Sequence, residues 1–176
     1  MKRKLSNNEL NRLSVDDFKK SEKVPIIVVL DNIRSLSNIG SAFRTADAFR
    51  IEAIYLCGIT AQPPHREIHK TALSATESVD WQYFNTTQEA IQHLKKIGYI
   101  IISVEQVEGS VLLNEFETSP KSKYGLVFGN EVRGVEDDII SMSDYCIEIP
   151  QWGTKHSFNV SISIGIVLWD IVLKLK

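Results

Sequence analysis

Apolar residues along this chain fall into short unbroken runs, separated by stretches with helical period and by polar turns. From Pro25 the run IIVVL is β-branched and continuous, the signature of a strand covered on both faces in a parallel sheet. Residues 53–58 (AIYLCG) and 99–105 (YIIISVE) read the same way, 126–128 gives another strand, and 78–84 and 145–149 give shorter ones. Between them the period changes. Ile39, Ala42, Phe43, Ala46 and Phe49 line one face of a helix capped by Ser37 or Asn38. Ala90, Ile91, Leu94 and Ile97 do so for a helix capped by Thr86 or Thr87 and closed at Gly98. This alternation predicts an α/β domain with a mainly parallel sheet and helices on both faces. Residues 1–23 are polar, with Leu5, Leu10, Leu13 and Phe18 at roughly helical spacing, and predict an amphipathic extension ahead of a domain spanning 24–176.

The end of the chain joins three events with little spacer. A strand stops at Pro150, a polar turn containing Gly153 follows, and a helix begins near Asn159. That helix carries Val160, Ile162, Ile164, Ile166, Val167, Leu168 and Trp169, apolar on nearly every side, so its own domain or a partner subunit must bury it. Lys155, His156, Ser157 and Asn159 precede it. Capping accounts for one of these residues but not for the whole cluster.

Composition narrows the picture by exclusion. At 176 residues, 43% hydrophobic and 24% charged, the chain suits one domain with a substantial core. A net charge of −2 supplies no global basic field, so nucleic acid would be met by a local patch or a dimer groove. Cys57 and Cys146 lack CxxC spacing and suit reduced thiols in a cytoplasmic protein; no apolar run reaches the roughly 18 residues of a membrane span. His65 and His69 are four apart, but HREIH lacks the zincin order, and no metal is expected; with Arg66 and Lys70 they form a local cationic patch. No GxGxxG occurs, and Gly134 is followed by Val135 and Glu136 rather than by the residues of a P-loop, which disfavours ATP and NAD. A Ser157–His156 hydrolase is disfavoured by their adjacency and by the absence of a GxSxG elbow.

Three polar loops, 31–44, 129–134 and 150–159, follow strands. Ligands of open parallel sheets bind at the carboxyl ends of strands, so these loops are expected to bring Asn38, Arg44, Glu131, Ser157 and Asn159 together. Glu105, Gln106 and Gly109, after another strand, are further candidates to line a pocket. Gly40, one turn before Arg44, is expected to leave room above the guanidinium.

NIGSAFR at 38–44, LVFGNEVRG at 126–134 and IPQWGTKHSFNVS at 149–161, in that order, resemble the three motifs of the SpoU (TrmH-type) branch of the SPOUT RNA methyltransferases. The resemblance covers the chain from about Val24 onward. It implies a C-terminal deep trefoil knot, S-adenosylmethionine bound within it, methyl transfer to a ribose 2′-hydroxyl in tRNA or rRNA, and a homodimer whose site draws on both subunits. By position it assigns Asn38, Arg44, Glu131, Ser157 and Asn159 to catalysis, and Val104, Gly129, Ile149 and Phe158 to the cofactor. The family usually has methionine after the proline and leucine before the asparagine; here Gln151, Trp152 and Phe158 stand in that region, which implies an altered pocket shape. The alternative is a catalytically silent knotted RNA-binding protein. Because a guanidinium keeps its proton, with a pKa of roughly 12.5 or more, Arg44 is expected to grip a phosphate and not to act as a base.

Overall fold

Residues 2–176 are described by a computed structural model. A 3-10 turn at Asn7–Leu10 leads to α1 (Val15–Lys20), β1 (Val24–Asp31), α2 (Leu36–Phe49), β2 (Ile51–Cys57), α3 (Arg66–Ala72), α4 (Ala75–Ser78) and β3 (Asp80–Phe84). Then come α5 (Thr87–Lys96), β4 (Tyr99–Val104), β5 (Val111–Leu112), β6 (Lys123–Phe128), α6 (Asp137–Met142), β7 (Tyr145–Glu148) and α7 (Val160–Leu175). The strands form one sheet in the order β3-β2-β1-β6-β4-β7-β5, and every pairing is parallel. The mainly parallel α/β sheet expected from the sequence is present.

Two cores explain the unbroken apolar runs. Ile26, Val28 and Leu30 of β1 point to one face, where they meet α2, α3, α4 and α7. Ile27 and Val29 point to the other, under α5 and α6. Because successive strand residues alternate faces, a strand covered on both sides must be apolar throughout. Phe18 of α1 is buried in the first core. Among the described residues no helix is long and apolar enough to cross a membrane.

Local chemistry departs from the sequence reading at three points. The cap of α2 is Ser35, whose hydroxyl accepts from the Asn38 backbone N–H, so Asn38 lies inside the first turn with its side chain free for other work. Gly40 serves α3 and not Arg44: a Cβ there would stand 2.0 Å from Thr71 Oγ1 and 2.3 Å from the Ile68 carbonyl oxygen. The third is β5, too short to announce itself by pattern.

The position of β5 sets the topology of the site. Val104 of β4 and Val111 of β5 both face Ile147 of β7, one on each side. Residues 105–110 therefore arch from one flank of β7 to the other, and the chain after Ile147 emerges between the feet of that arch. The threaded chain of the resemblance requires this placement.

Candidate active site

β6 ends at buried Phe128 and turns at Gly129, where a Cβ would stand 2.1 Å from the carbonyl carbon of Gly134. The loop is folded onto itself that closely, and two backbone hydrogen bonds between Asn130 and Gly134, 3.0 and 2.8 Å, close it. Asn130 braces it from inside: Oδ1 accepts from the Val132 N–H at 2.9 Å, and Nδ2 donates to the Asn32 carbonyl at 2.6 Å. What the loop presents outward is Glu131.

Glu131 receives the start of α2. Its carboxylate accepts from the backbone N–H groups of Arg34 at 3.1 Å and Ser35 at 3.0 Å, and from Asn38 Nδ2 at 3.2 Å. Partial burial pushes the carboxyl pKa up, but the Arg34 N–H, Glu131's own backbone N–H, the Ser35 N–H and Asn38 together outweigh it and hold the group below the usual carboxylate range. An anion at a helix N-terminus is also favoured by the helix dipole.

Asn159 completes the junction. It caps α7, its Oδ1 accepting from the Ser161 N–H at 2.9 Å, so its Nδ2 is left to donate to Asn38 Oδ1 at 3.2 Å. Asn38 accepts with its oxygen and donates with its nitrogen, and the polarity runs consistently from Asn159 through Asn38 to Glu131. One residue from each of the three motif loops is thereby tied into a single hydrogen-bonded chain.

Beside this chain lies a cleft of about 650 Å³ at the carboxyl ends of β4, β6 and β7. Val104, Phe128, Ile149 and Phe158 give it apolar walls, Gly129 brings bare backbone to its surface, and Glu131, Ser157 and Asn159 stand at its edge. The volume lies within the roughly 300–1,000 Å³ of small-molecule sites. These apolar patches, set among the polar side chains Glu105, Gln106, Glu148 and Gln151, suit a flat nucleoside base whose edges are read by polar groups. The hydroxyl of Ser157 makes no hydrogen bond among the described residues, and none joins it to His156.

Arg44 is the candidate that the fold leaves apart. It is exposed on α2, six positions beyond Asn38, off the cleft wall, and pairs with no carboxylate among the described residues. Glu105 and Gln106 line the cleft, whereas Gly109 does not. Glu105 works as a brace, its Oε2 accepting from the Val135 N–H at 2.9 Å, and Gln106 Nε2 donates to the His156 carbonyl at 3.1 Å, fastening the arch to the third loop. His65 caps α3, Nδ1 accepting from the Glu67 N–H at 3.2 Å.

Residues 25–169 match the sequence profile of the SpoU rRNA Methylase family. The chain belongs to that family. An uncharacterized tRNA/rRNA methyltransferase of Borreliella burgdorferi is 30% identical over 162 residues, 92% of this chain and 69% of that protein. The tRNA (guanosine(18)-2′-O)-methyltransferase of Aquifex aeolicus is 28% identical, over 82% of this chain and 67% of its own length. Among solved structures, an AdoMet-bound rRNA methyltransferase from Sinorhizobium meliloti superposes with a TM-score of 0.80 at 26% identity, covering 90% of this chain and 60% of that one. The A. aeolicus TrmH/SpoU tRNA modifying enzyme gives 0.78 at 25%, covering 91% and 79%. The chain thus spans between three fifths and four fifths of these SpoU-family relatives.

Asn130 and the Gln106–His156 tie were not singled out for these roles from the sequence. Asn130 carried a signal, since an asparagine beside a glycine is a common builder of Asx turns. The tie carried none, because it joins residues fifty positions apart.

Proposed function

We propose that this protein transfers a methyl group from S-adenosylmethionine to a ribose 2′-hydroxyl of tRNA or rRNA, and that it acts as a homodimer in the cytoplasm. The observation that carries this reading is the hydrogen-bonded chain Glu131–Asn38–Asn159 at the edge of the cofactor-sized cleft. A silent RNA-binding relative would have no need to keep that junction and the cofactor-sized cleft side by side.

The cleft residues fit the cofactor. Val104, Phe128, Ile149 and Phe158 would hold its base and Gly129 the backbone contacts; when bound, it supplies a methyl group on a positively charged sulfur, open to in-line displacement without a metal. The protein's own task is to hold the ribose hydroxyl in attack geometry and to stabilise the oxygen as its proton leaves. Ser157, with its unpaired hydroxyl at the cleft edge, is placed to orient the ribose. Asn38, Glu131 and Asn159 keep the loops in register.

Arg44 enters from the other subunit in this reading. Its exposure on α2, away from its own cleft, leaves it available to a partner, where its fork would grip the phosphate next to the target ribose and lower the cost of the developing alkoxide. α7 packs against α2 and leaves Ile162, Trp169 and Leu173 more than half exposed, with no neighbouring element against the Cβ position of Gly165. Since each is already nearly half buried, covering the remainder would gain roughly 0.8–1.5 kcal/mol per side chain, which a second copy would provide.

The test is transfer of labelled methyl from S-adenosylmethionine to unmodified total tRNA and, separately, to rRNA lacking its modifications. Label that resists alkaline cleavage in one pool, lost with Arg44→Ala, is the expected result. No label in either pool overturns the reading. Arg44→Lys is expected to lose roughly as much as Arg44→Ala, because lysine keeps the charge without the bidentate fork.

A further inference from the structure

Trp152 stands in the third-motif loop with nothing to hold it. The residue is 92% exposed, its indole N–H donates no hydrogen bond, and its ring pairs with no other aromatic among the described residues. Trp169, by contrast, meets Phe49 edge-on at 6.3 Å between ring centroids. Gly153 beside Trp152 meets no other element at its Cβ position.

Its neighbours define what it faces. Gln151 before Trp152 and His156 after it both line the cofactor-sized cleft, while residues 152–155 between them stand just outside its lining, beside the opening. Lys155 and His156 are exposed beside the same opening, and neither is in an ion pair among the described residues. Across the opening the second loop adds the exposed Arg133, which stands 3.9 Å from Glu136, while the carboxylates Glu105, Glu131 and Glu148 lie within the cleft itself. One open aromatic face, flanked by cationic and hydrogen-bond-donating groups, matches the two halves of a nucleotide: any base offers a π-face, and its phosphate offers negative charge.

We infer that Trp152 is a stacking platform for an unpaired base of the RNA substrate, at or next to the nucleotide whose ribose enters the cleft. The inference rests on the RNA-methyltransferase reading and adds to it that the target is single-stranded or opened on binding. Proteins that read RNA sequence take unpaired bases onto aromatic rings in this way, because the deep groove of a paired A-form helix admits no side chain. The phosphate of the same nucleotide would lie against Lys155.

The experiment compares wild type, Trp152→Ala and Trp152→Phe. It measures kcat and KM for whichever unmodified pool, total tRNA or rRNA, the wild type methylates, cofactor affinity by calorimetry, and subunit mass by sedimentation. The expected result is a KM for RNA raised on the order of ten- to a hundred-fold in Trp152→Ala and within about three-fold of wild type in Trp152→Phe. Cofactor affinity and subunit mass should be unchanged in both. An unchanged KM in Trp152→Ala, with the wild type active, overturns the inference and leaves the methyltransferase reading standing. A shift of Trp152→Ala to monomers overturns it in favour of a subunit contact. A wild type that methylates neither pool overturns both readings.

Discussion

Asn159 does two jobs with one side chain, and a pair of substitutions separates them. Its oxygen caps α7 and its nitrogen donates to Asn38. Asn159→Ala removes both and is expected to cost about 0.5–2 kcal/mol in chemical unfolding, in addition to activity. Asn159→Asp keeps the cap but sets a second acceptor against Asn38 Oδ1. It should unfold close to wild type yet lose roughly ten-fold or more in kcat. Full stability and activity in Asn159→Asp, with losses confined to Asn159→Ala, would show that capping alone is at stake. Glu131 gives a pH signature. Its folded-state carboxyl titrates below its unfolded value, so the stability it lends is complete above the ordinary carboxylate range and disappears as pH falls through the lowered folded value. Glu131→Gln is expected to be less stable than wild type at about pH 7, with the deficit shrinking by about pH 3. A deficit that did not narrow on acidification would remove the carboxylate from its place as acceptor. Cys57 is held inert by burial, which pushes its thiol up to about 12. It should resist alkylation near neutral pH until the chain unfolds.

At the scale of elements, the crossing of α2 and α3 depends on a missing side chain. A Cβ at Gly40 would meet the Ile68 carbonyl, which is backbone and cannot swing aside, as well as Thr71 Oγ1. Gly40→Ala is expected to cost about 1–3 kcal/mol, despite alanine's better helix propensity. At roughly 2–4 °C per kcal/mol for a chain of this size, that is a visible fall in Tm. Thr71→Ala in the same chain should restore only part of it. A thermal melt of Gly40→Ala at or above wild type would show that the helices separate at no cost. Gly40 also marks how far the sequence could be read. The strands of the two-sided sheet were legible because continuous β-branched runs have few other uses, and the convergence of Asn38, Glu131 and Asn159 followed from the rule about strand ends. The reason for Gly40 was not legible, since it lies in a helix remote in sequence. β5 escaped because two residues carry no period, and it exists only by pairing with β7. Arg44 was expected with the others from the same rule about strand ends; it lies on the helix off the cleft wall, and in the proposed homodimer a second subunit would supply it.

For the whole molecule, the proposed sharing of the site between two subunits predicts an outcome that neither subunit produces alone. Arg44→Ala and Glu131→Ala should each be nearly inactive as pure dimers. Mixed after reversible dissociation, half the dimers would carry one of each, and each of these holds one site with both residues intact. Activity is expected to return to roughly a quarter of wild type. If Arg44 served its own cleft, no intact site would form and mixing would recover nothing. Trp169→Asp should place a charge in the exposed α7 face and yield monomers by sedimentation, with methyl transfer lost and cofactor binding largely kept.

The arch of residues 105–110 bears on when this protein becomes competent during its making. A chain leaves the ribosome from its N-terminus, so the arch and the strands β1 to β4 and β6 are available before the segment that must pass between its feet. Until that segment arrives, β5 has no neighbour to pair with and β4 has one open flank. The cleft also lacks the wall made by Ile149 and Phe158. A product that stalls before residue 145 would keep most of the sheet and yet be unable to capture the methyl donor. Competence would thereby be deferred to the last stretch of synthesis, and a stalled chain would lack the means to hold the donor.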